Sequence, residues 1–219
     1  MPKTLVSIVG SLFAMATVSM LVAGDRERDP SIHLSFDSSG GDSGSVDLKG
    51  HQLVDGVAGK AVRFDGDPAQ GLRLGDLKIK APATVAFWIK TRDFWNGRCL
   101  LVQTDGPITQ AGRMRLQGGL EVWDGKAWQL VVHDGVRLNT WTHLAVVFSA
   151  DGKATGYLNG KAQETVGCGF DFDGVNAGFG TKATGHQGAV YNGLLDELRV
   201  YKLALSADDI PSLCHVAKH

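Results

Sequence analysis

Glutamate is scarce: it occurs only at positions 27, 121, 164 and 197 of 219 residues. Glycine occurs 29 times. Glutamate favours helices and glycine disfavours them, so this balance argues against a helical protein and for sheets joined by tight turns. There is no excess of either charge: the formal net charge is −1. That removes the electrostatic footprint expected of a nucleic-acid binder, or of a protein held on an acidic membrane surface. Cysteine is limited to Cys99, Cys168 and Cys214, with no CxxC and no Cys/His spacing suited to zinc. One disulfide among them would leave one thiol over, and the spacing does not choose the pair. HExxH, a phosphate-cradling glycine loop and a Ser/His/Asp context are also missing.

What is present begins with a leader. After Lys3 the chain carries no charge until Gly24, and charge then resumes in "DRERD". Residues 1–24 are expected to be a secretory signal cleaved near Gly24. The competing reading is an uncleaved anchor, since about 20 apolar residues span a bilayer. In either case the remainder faces an exported compartment: secreted, periplasmic or cell envelope. Residues 25–30 read as a charged linker, 31–213 as one domain and 214–219 as a tail.

From Ser31 onward short apolar runs alternate with turns. "SIHLSF", "KAVRFDG", "GLRLG", "RCLLVQTD", "GRMRLQG", "GLEVWDG" and "AWQLVVHDG" are expected strands. "ATVAFWIKT" is apolar on both faces and predicts a central strand. In "TWTHLAVVFSADGKATGYLNGKAQETVG", Asp151-Gly152 and Asn159-Gly160 predict two successive hairpins. Ser206 followed by "ADDI" predicts a short helical turn, limited by Pro211. A dozen or so strands in one unit suggest a sandwich or barrel.

"GLLDELRVYKLALSADDI", residues 193–210, raises a question of register. Leu194 and Leu198 share one strand face, Leu195 falls on the other, and the parity of the apolar positions changes across Asp196-Glu197. A bulge there would restore it. Asp196 is then either a metal ligand or an acceptor for backbone N–H groups of a neighbouring loop.

This stretch resembles the closing motif of laminin-G-like (concanavalin A-like lectin/glucanase) jelly-roll domains. "SIHLSFDSSG", "VAGKAVRFDGD", "ATVAFWIKT" and "NTWTHLAVVFSADGKATGYLNGK" resemble the family's earlier segments in order, over about residues 31–212. The resemblance implies an all-β fold: a two-sheet antiparallel jelly-roll sandwich with a short C-terminal helical turn, its first and last strands side by side. It also implies a structural calcium site where the first strand, the Phe-Asp-Gly turn and the last strand meet. The candidate ligands are Asp196, Asp37 and the Asp65-Gly66 turn, since carboxylates and backbone carbonyls suit calcium.

Some proteins of this fold are glycosidases, with carboxylates paired on one sheet face. Their Glu-x-Asp-x-x-Glu pattern is missing. Asp65/Asp67 and Asp171/Asp173 have an i, i+2 spacing, but both pairs adjoin glycine and read as turn acids. His143 reads as a structural histidine rather than a general base. The remaining candidates are aromatic. Trp95, Trp123 and Trp128 fall at turn-like segments, where an indole face could stack on a sugar ring and Asn96, Arg98 and Asp124 could bind hydroxyls. The alternative for each indole is packing in the core or rim. The expectation is an exported, non-catalytic binding domain for a glycan, glycoprotein or protein surface. The alternatives are a glycoside hydrolase or polysaccharide lyase, and a membrane-anchored structural envelope protein.

Overall fold

The structure is a computed structural model that describes residues 29–37, 46–48, 50–94, 97–105, 110–181 and 189–215. The leader lies outside these residues, as do Trp95 and Asn96. Among the described residues no helix is long and apolar enough to cross a membrane.

Two layers of antiparallel strands enclose one core. The first layer is an eight-stranded sheet. At its centre Ala83–Thr91 lies between Thr142–Phe148 and the closing strand Asn192–Tyr201. The closing strand continues to Lys60–Asp65 and then to the edge strand Gln52–Asp55. Ala83–Thr91 and Thr142–Phe148 are buried on both faces almost throughout, which is why they read as unbroken apolar runs. The second layer is assembled from two pieces. One runs through Trp128–Val132, Leu120–Trp123, Met114–Leu116 and Arg98–Cys99; the other joins Leu72–Asp76, Asn176–Phe179 and Leu101–Gln103. Leu100 links them, donating its N–H to the Met114 carbonyl and accepting from the Gly180 N–H. Phe179 of the second layer packs edge-on against Phe87 of the first, with ring centroids 5.3 Å apart. Phe64, Phe179 and Tyr191 extend the aromatic core.

The first strand, Ile32–Leu34, pairs with the closing strand, so this stretch closes the sandwich as the resemblance implied. The parity break is a bulge: the register against Ala83–Thr91 shifts between Asp196 and Arg199, and Glu197 takes a left-handed φ of 52°. Both hairpins form, with different loops. Asn159 and Gly160 have φ of 48° and 80° and make the two-residue turn between Leu158 and Lys161. The Asp151-Gly152 hairpin instead needs four residues, 149–152, with only Gly152 of its pair at positive φ.

The C-terminal turn is displaced from its expected place. Ser206 and Asp209 bond to each other in a plain turn, and the 3-10 segment is Ile210–Cys214. Pro211 starts that segment rather than limiting it, because the first turn of a helix needs no N–H from it. Ile210 and Leu205 cover a small second core over the outer face of the first sheet, with Ala86, Ala145, Tyr157 and Tyr201. The three thiols form no disulfide. Cys168 donates to the Trp123 carbonyl at 3.2 Å, and Cys214 sits 3.3 Å from His143 Nδ1, against the opposite layer.

Candidate functional site

Three places on this frame hold polar side chains that the core does not explain: the bulge in the closing strand, the outer face of the second layer, and a groove at its edge.

At the bulge, the partner of the closing strand changes. Lys60–Asp65 pairs with its first half and Ile32–Leu34 with its second. The turn before Lys60 therefore meets the chain leaving Leu34 beside Asp196. Asp196 Oδ2 accepts the N–H groups of Val57 at 2.8 Å and Ala58 at 3.1 Å. Asp37 Oδ1 accepts the Lys60 N–H at 2.7 Å. The turn presses against both carboxylates: a Cβ on Gly56 would lie 2.3 Å from Asp196 Oδ2, and one on Gly59 would lie 1.8 Å from Asp37 Oδ1. Asp196 is fully buried, and its Oδ1 has no hydrogen-bond partner. Burial pushes its carboxyl up to about 7, helped by the neighbouring Glu197 charge and opposed by the backbone donors. Burial also works to raise Glu197. The His33 hydrogen bond at 2.9 Å and the Arg199 guanidinium outweigh it, and hold that carboxyl below the usual range.

Asp196 and Asp37 thus both hold the turn before Lys60, while Asp65 and Gly66 lie elsewhere, and no group of three acidic, histidine or cysteine side chains suited to a metal forms among the described residues. Asp65 pairs with Asn192 in the sheet register. Asp196 lies four residues further along the closing strand, about 13 Å away at the rise of a strand. The two strands are antiparallel, so the turn that reaches Asp196 is the one before Lys60–Asp65, not the Phe-Asp-Gly turn after it. Asp65 instead bonds Arg63 at 2.7 Å and Arg92 at 2.9 Å. Asp67 caps a short 3-10 segment through the Ala69 N–H. Asp171 and Asp173 face Lys80 at 3.9 and 3.6 Å. These are the turn and surface acids that the adjoining glycines suggested.

His143 is also placed as expected. It is 1% exposed and packs edge-on to Trp88, with ring centroids 5.4 Å apart. Burial lowers its pKa to about 4, and the Arg199 charge adds to the shift.

On the second layer, Leu72, Phe179, Leu101, Met114 and Val122 point into the core. Strand alternation sends their neighbours Arg73, Gly178, Val102, Arg113, Arg115 and Trp123 outward. Trp123 and Trp128 are half-buried and stand edge-on at 5.5 Å. They are not bare platforms. The Arg115 guanidinium lies 4.3 Å over Trp128, and Arg113 lies 4.8 Å from Trp123 and 5.5 Å from Trp128. Arg115 is ion-paired to Glu121. The expected hydroxyl-binding neighbours are engaged elsewhere. Asp124 accepts from Lys126 N, Ala127 N and Gln129 Nε2, each at 2.7 Å. Arg98 is buried, paired to Asp93 and bonded to the Val190 carbonyl at 2.7 Å.

The groove was not read from the sequence. It encloses about 680 Å³ at the edge strand Leu72–Asp76, where Arg73, Thr104, Asp105, Asn176, Thr181 and Asp47 line it. Asp105 fixes Asn176, accepting its N–H at 2.9 Å and its side-chain amide at 2.6 Å. Thr104 donates to the Asn176 carbonyl at 3.0 Å. The Arg73 side chain is exposed and makes no hydrogen bond or ion pair with the described residues. Gly178 lets Thr181 and Thr104 close over it, since a Cβ there would lie 2.6 and 2.7 Å from their methyl groups. No motif marks these residues, because four separate segments supply them.

Comparison with known proteins agrees with this architecture. No curated protein sequence matches. Domain 4 of AbnA, a GH43 extracellular arabinanase from Geobacillus stearothermophilus solved in complex with arabinotriose, is similar at TM-score 0.70 and 21% identity. That match covers 85% of this chain and 98% of that one. The binding domain of Paraclostridial Mosquitocidal Protein 1 is similar at TM-score 0.68 and 20% identity, over 86% of this chain and 52% of that one. The Botulinum Neurotoxin Type G receptor binding domain is similar at TM-score 0.61 and 10% identity, over 85% and 51%. The family model of the concanavalin A-like lectin/glucanases superfamily matches residues 65–211. With more than half its length so matched, the chain belongs to the concanavalin A-like lectin/glucanase superfamily.

Proposed function

We propose that this protein is an exported, non-catalytic domain that binds carbohydrate, on a glycan or glycoprotein, at the cell envelope or outside the cell. The observation that carries this reading is the groove. It presents a guanidinium, an amide and two hydroxyls on backbone fixed by sheet pairing, in a volume suited to a small ligand. Sugar hydroxyls both donate and accept, so such a mixed set can satisfy them. The similarity to a domain solved with arabinotriose supports a saccharide over a peptide. Arg73→Ala tests the site cleanly, because the side chain is exposed and its loss should change stability by no more than about 0.5 kcal/mol. On a glycan array the variant is expected to lose most of the binding shown by the wild type. Equal binding by both proteins would move the site away from the groove.

Two further parts belong to this reading. Export rests on the uncharged leader before "DRERD". N-terminal sequencing of the exported protein should find a chain starting at or near Asp25, whereas one starting at Met1 and partitioning into detergent would mean an anchor. A structural calcium ion rests on Asp196 and Asp37. A buried carboxylate oxygen without a donor, next to a second carboxylate and a turn rich in carbonyls, suits a hard cation with oxygen ligands. There it would tie the first strand, the Gly56–Lys60 turn and the closing strand together.

A further inference from the structure

Most charged side chains on the outer face of the second layer are matched. Arg115 has Glu121, and Asp105 has the two N–H groups of Asn176. Asp76 accepts from Lys78 N and Gly174 N, and Asp124 from its own turn and Gln129. Two arginines are different. Arg113 is 3% exposed, makes no ion pair with the described residues, and its Nε has no hydrogen-bond partner. Among the described residues, both indoles and the Cys99 side chain lie close to it. A buried guanidinium with no counter-charge is costly, and burial lowers its pKa accordingly. Arg73 is the second, exposed in the groove.

The two lie on the same face at a similar level. Arg73 pairs through Gly178 with Val102, and Cys99 pairs with Arg115, which puts Arg113 level with the chain beside Val102. Three strand spacings, about 14 Å, separate them. Two guanidiniums without an ion-pair partner among the described residues, at that interval and with a pair of half-buried indoles beyond, make a row across the sheet. We infer that this face binds an anionic polysaccharide, with acidic groups on separate sugars pairing to Arg73 in the groove and to Arg113 beside Trp123 and Trp128.

Arginine suits the task because its planar fork matches an oxyanion with two parallel bonds. The carboxylates of Asp47 and Asp105 in the groove disfavour an anion at other points, which would set the register of the chain. The inference rests on the carbohydrate-binding reading and narrows it to a charge class. The anion is a carboxylate in a uronic acid or a sulfate ester in a sulfated sugar; the guanidinium fork takes either.

The test is calorimetric titration of the purified protein with three probes: oligogalacturonate, a sulfated oligosaccharide of similar length, and a neutral arabino-oligosaccharide. At least one anionic probe is expected to bind more tightly than the neutral one, and to weaken as salt rises from 0.05 to 0.5 M (about the range over which screening tightens). The anionic probe that binds identifies the source of the charge. Arg73→Ala and Arg113→Met are each expected to weaken that binding about ten- to a hundredfold, the usual effect of losing a charge-assisted bond. Arg113→Met should melt at or above the wild-type temperature, because it removes a buried charge that had no partner. Binding of the neutral probe alone, insensitive to salt, would overturn this inference and leave the carbohydrate reading standing. Binding of none of the probes would overturn both. Anion binding unchanged in both variants would also overturn it, and an Arg113→Met protein that melts well below wild type would show the residue to be a packing element.

Discussion

Calcium at about one hundred times its dissociation constant is expected to stabilise the protein by about 2.7 kcal/mol, because it would bind only the folded state. For a chain of this size that is a rise in melting temperature of about 5–11 °C. The effect is large because the ion would join three segments far apart in sequence: the end of the first strand at Asp37, the Gly56–Lys60 turn, and the bulge at Asp196. Magnesium should do little at the same concentration, since it demands a tight octahedral shell and gives up water reluctantly. Asp196→Asn should abolish most of the calcium response, whereas Asp65→Asn should keep it, because Asp65 is held by Arg63 and Arg92 at the other end of its strand. Thermal melts with calcium, magnesium and a chelator check this. Wild-type melting that does not depend on calcium would leave Asp196 as no more than the acceptor for Val57 and Ala58.

Lowering the pH from about 7 to 4 is expected to cost the protein about 3 kcal/mol through His143 alone. The side chain is buried in neutral form, and its pKa falls to about 4 from an ordinary 6.5. The sign follows from proton counts. Between those values the unfolded chain takes up a proton that the folded state refuses, so the histidine's contribution is fully present above 6.5 and lost as pH falls through that window. About 2.5 units at about 1.4 kcal/mol each give the magnitude. Arg199 adds to the depression, and the Cys214 thiol on Nδ1 is itself pushed up by burial, so neither favours a charged imidazole. Denaturant unfolding of wild type and His143→Gln across this range is the check. The difference between the two curves should grow toward neutral pH, and parallel curves would mean that the imidazole accepts its proton in place.

The closing strand shows how much of the fold could be read in advance. Leu194, Leu195 and Leu198 carry a period-2 pattern with one break, and a break in parity has few structural solutions, so the bulge was legible. Ala83–Thr91 was legible for a similar reason: an unbroken apolar run has to be covered on both sides. The hairpin at Asn159-Gly160 follows from two residues that tolerate left-handed φ. The pairing of the first strand with the closing strand came only through the resemblance, and the placing of Asp65 and Gly66 failed because it depends on the register between distant strands. Asp65 and Asp37 both follow a phenylalanine and look equivalent in sequence. Only the antiparallel register shows that the turn before Lys60, not the one after Asp65, reaches Asp196.

The proposed binding face was the least legible part. Trp123 and Trp128 stand out in the sequence because indoles near a hairpin tip are conspicuous. The arginines over them do not, because Arg113 and Arg115 flank Met114 at the start of a strand whose charge looks like an ordinary solvated face. Arg73, Thr104, and Asn176 with Thr181 come from three segments with no shared spacing, and only sheet pairing brings them to one groove. Aromatic spacing marks rings and says nothing of what lies on them.

Saccharide binding on the outer face of the second layer can be located residue by residue. The most direct measurement is an amide NMR titration of the isotopically labelled protein with a saccharide that binds it. Shift changes are expected to concentrate at Arg73, Thr104, Asn176, Gly178 and Thr181, extending to Arg113 and Trp123 if the ligand is anionic. Shift changes confined to the opposite layer, at Lys153–Leu158 and Lys161–Gly167, would contradict it.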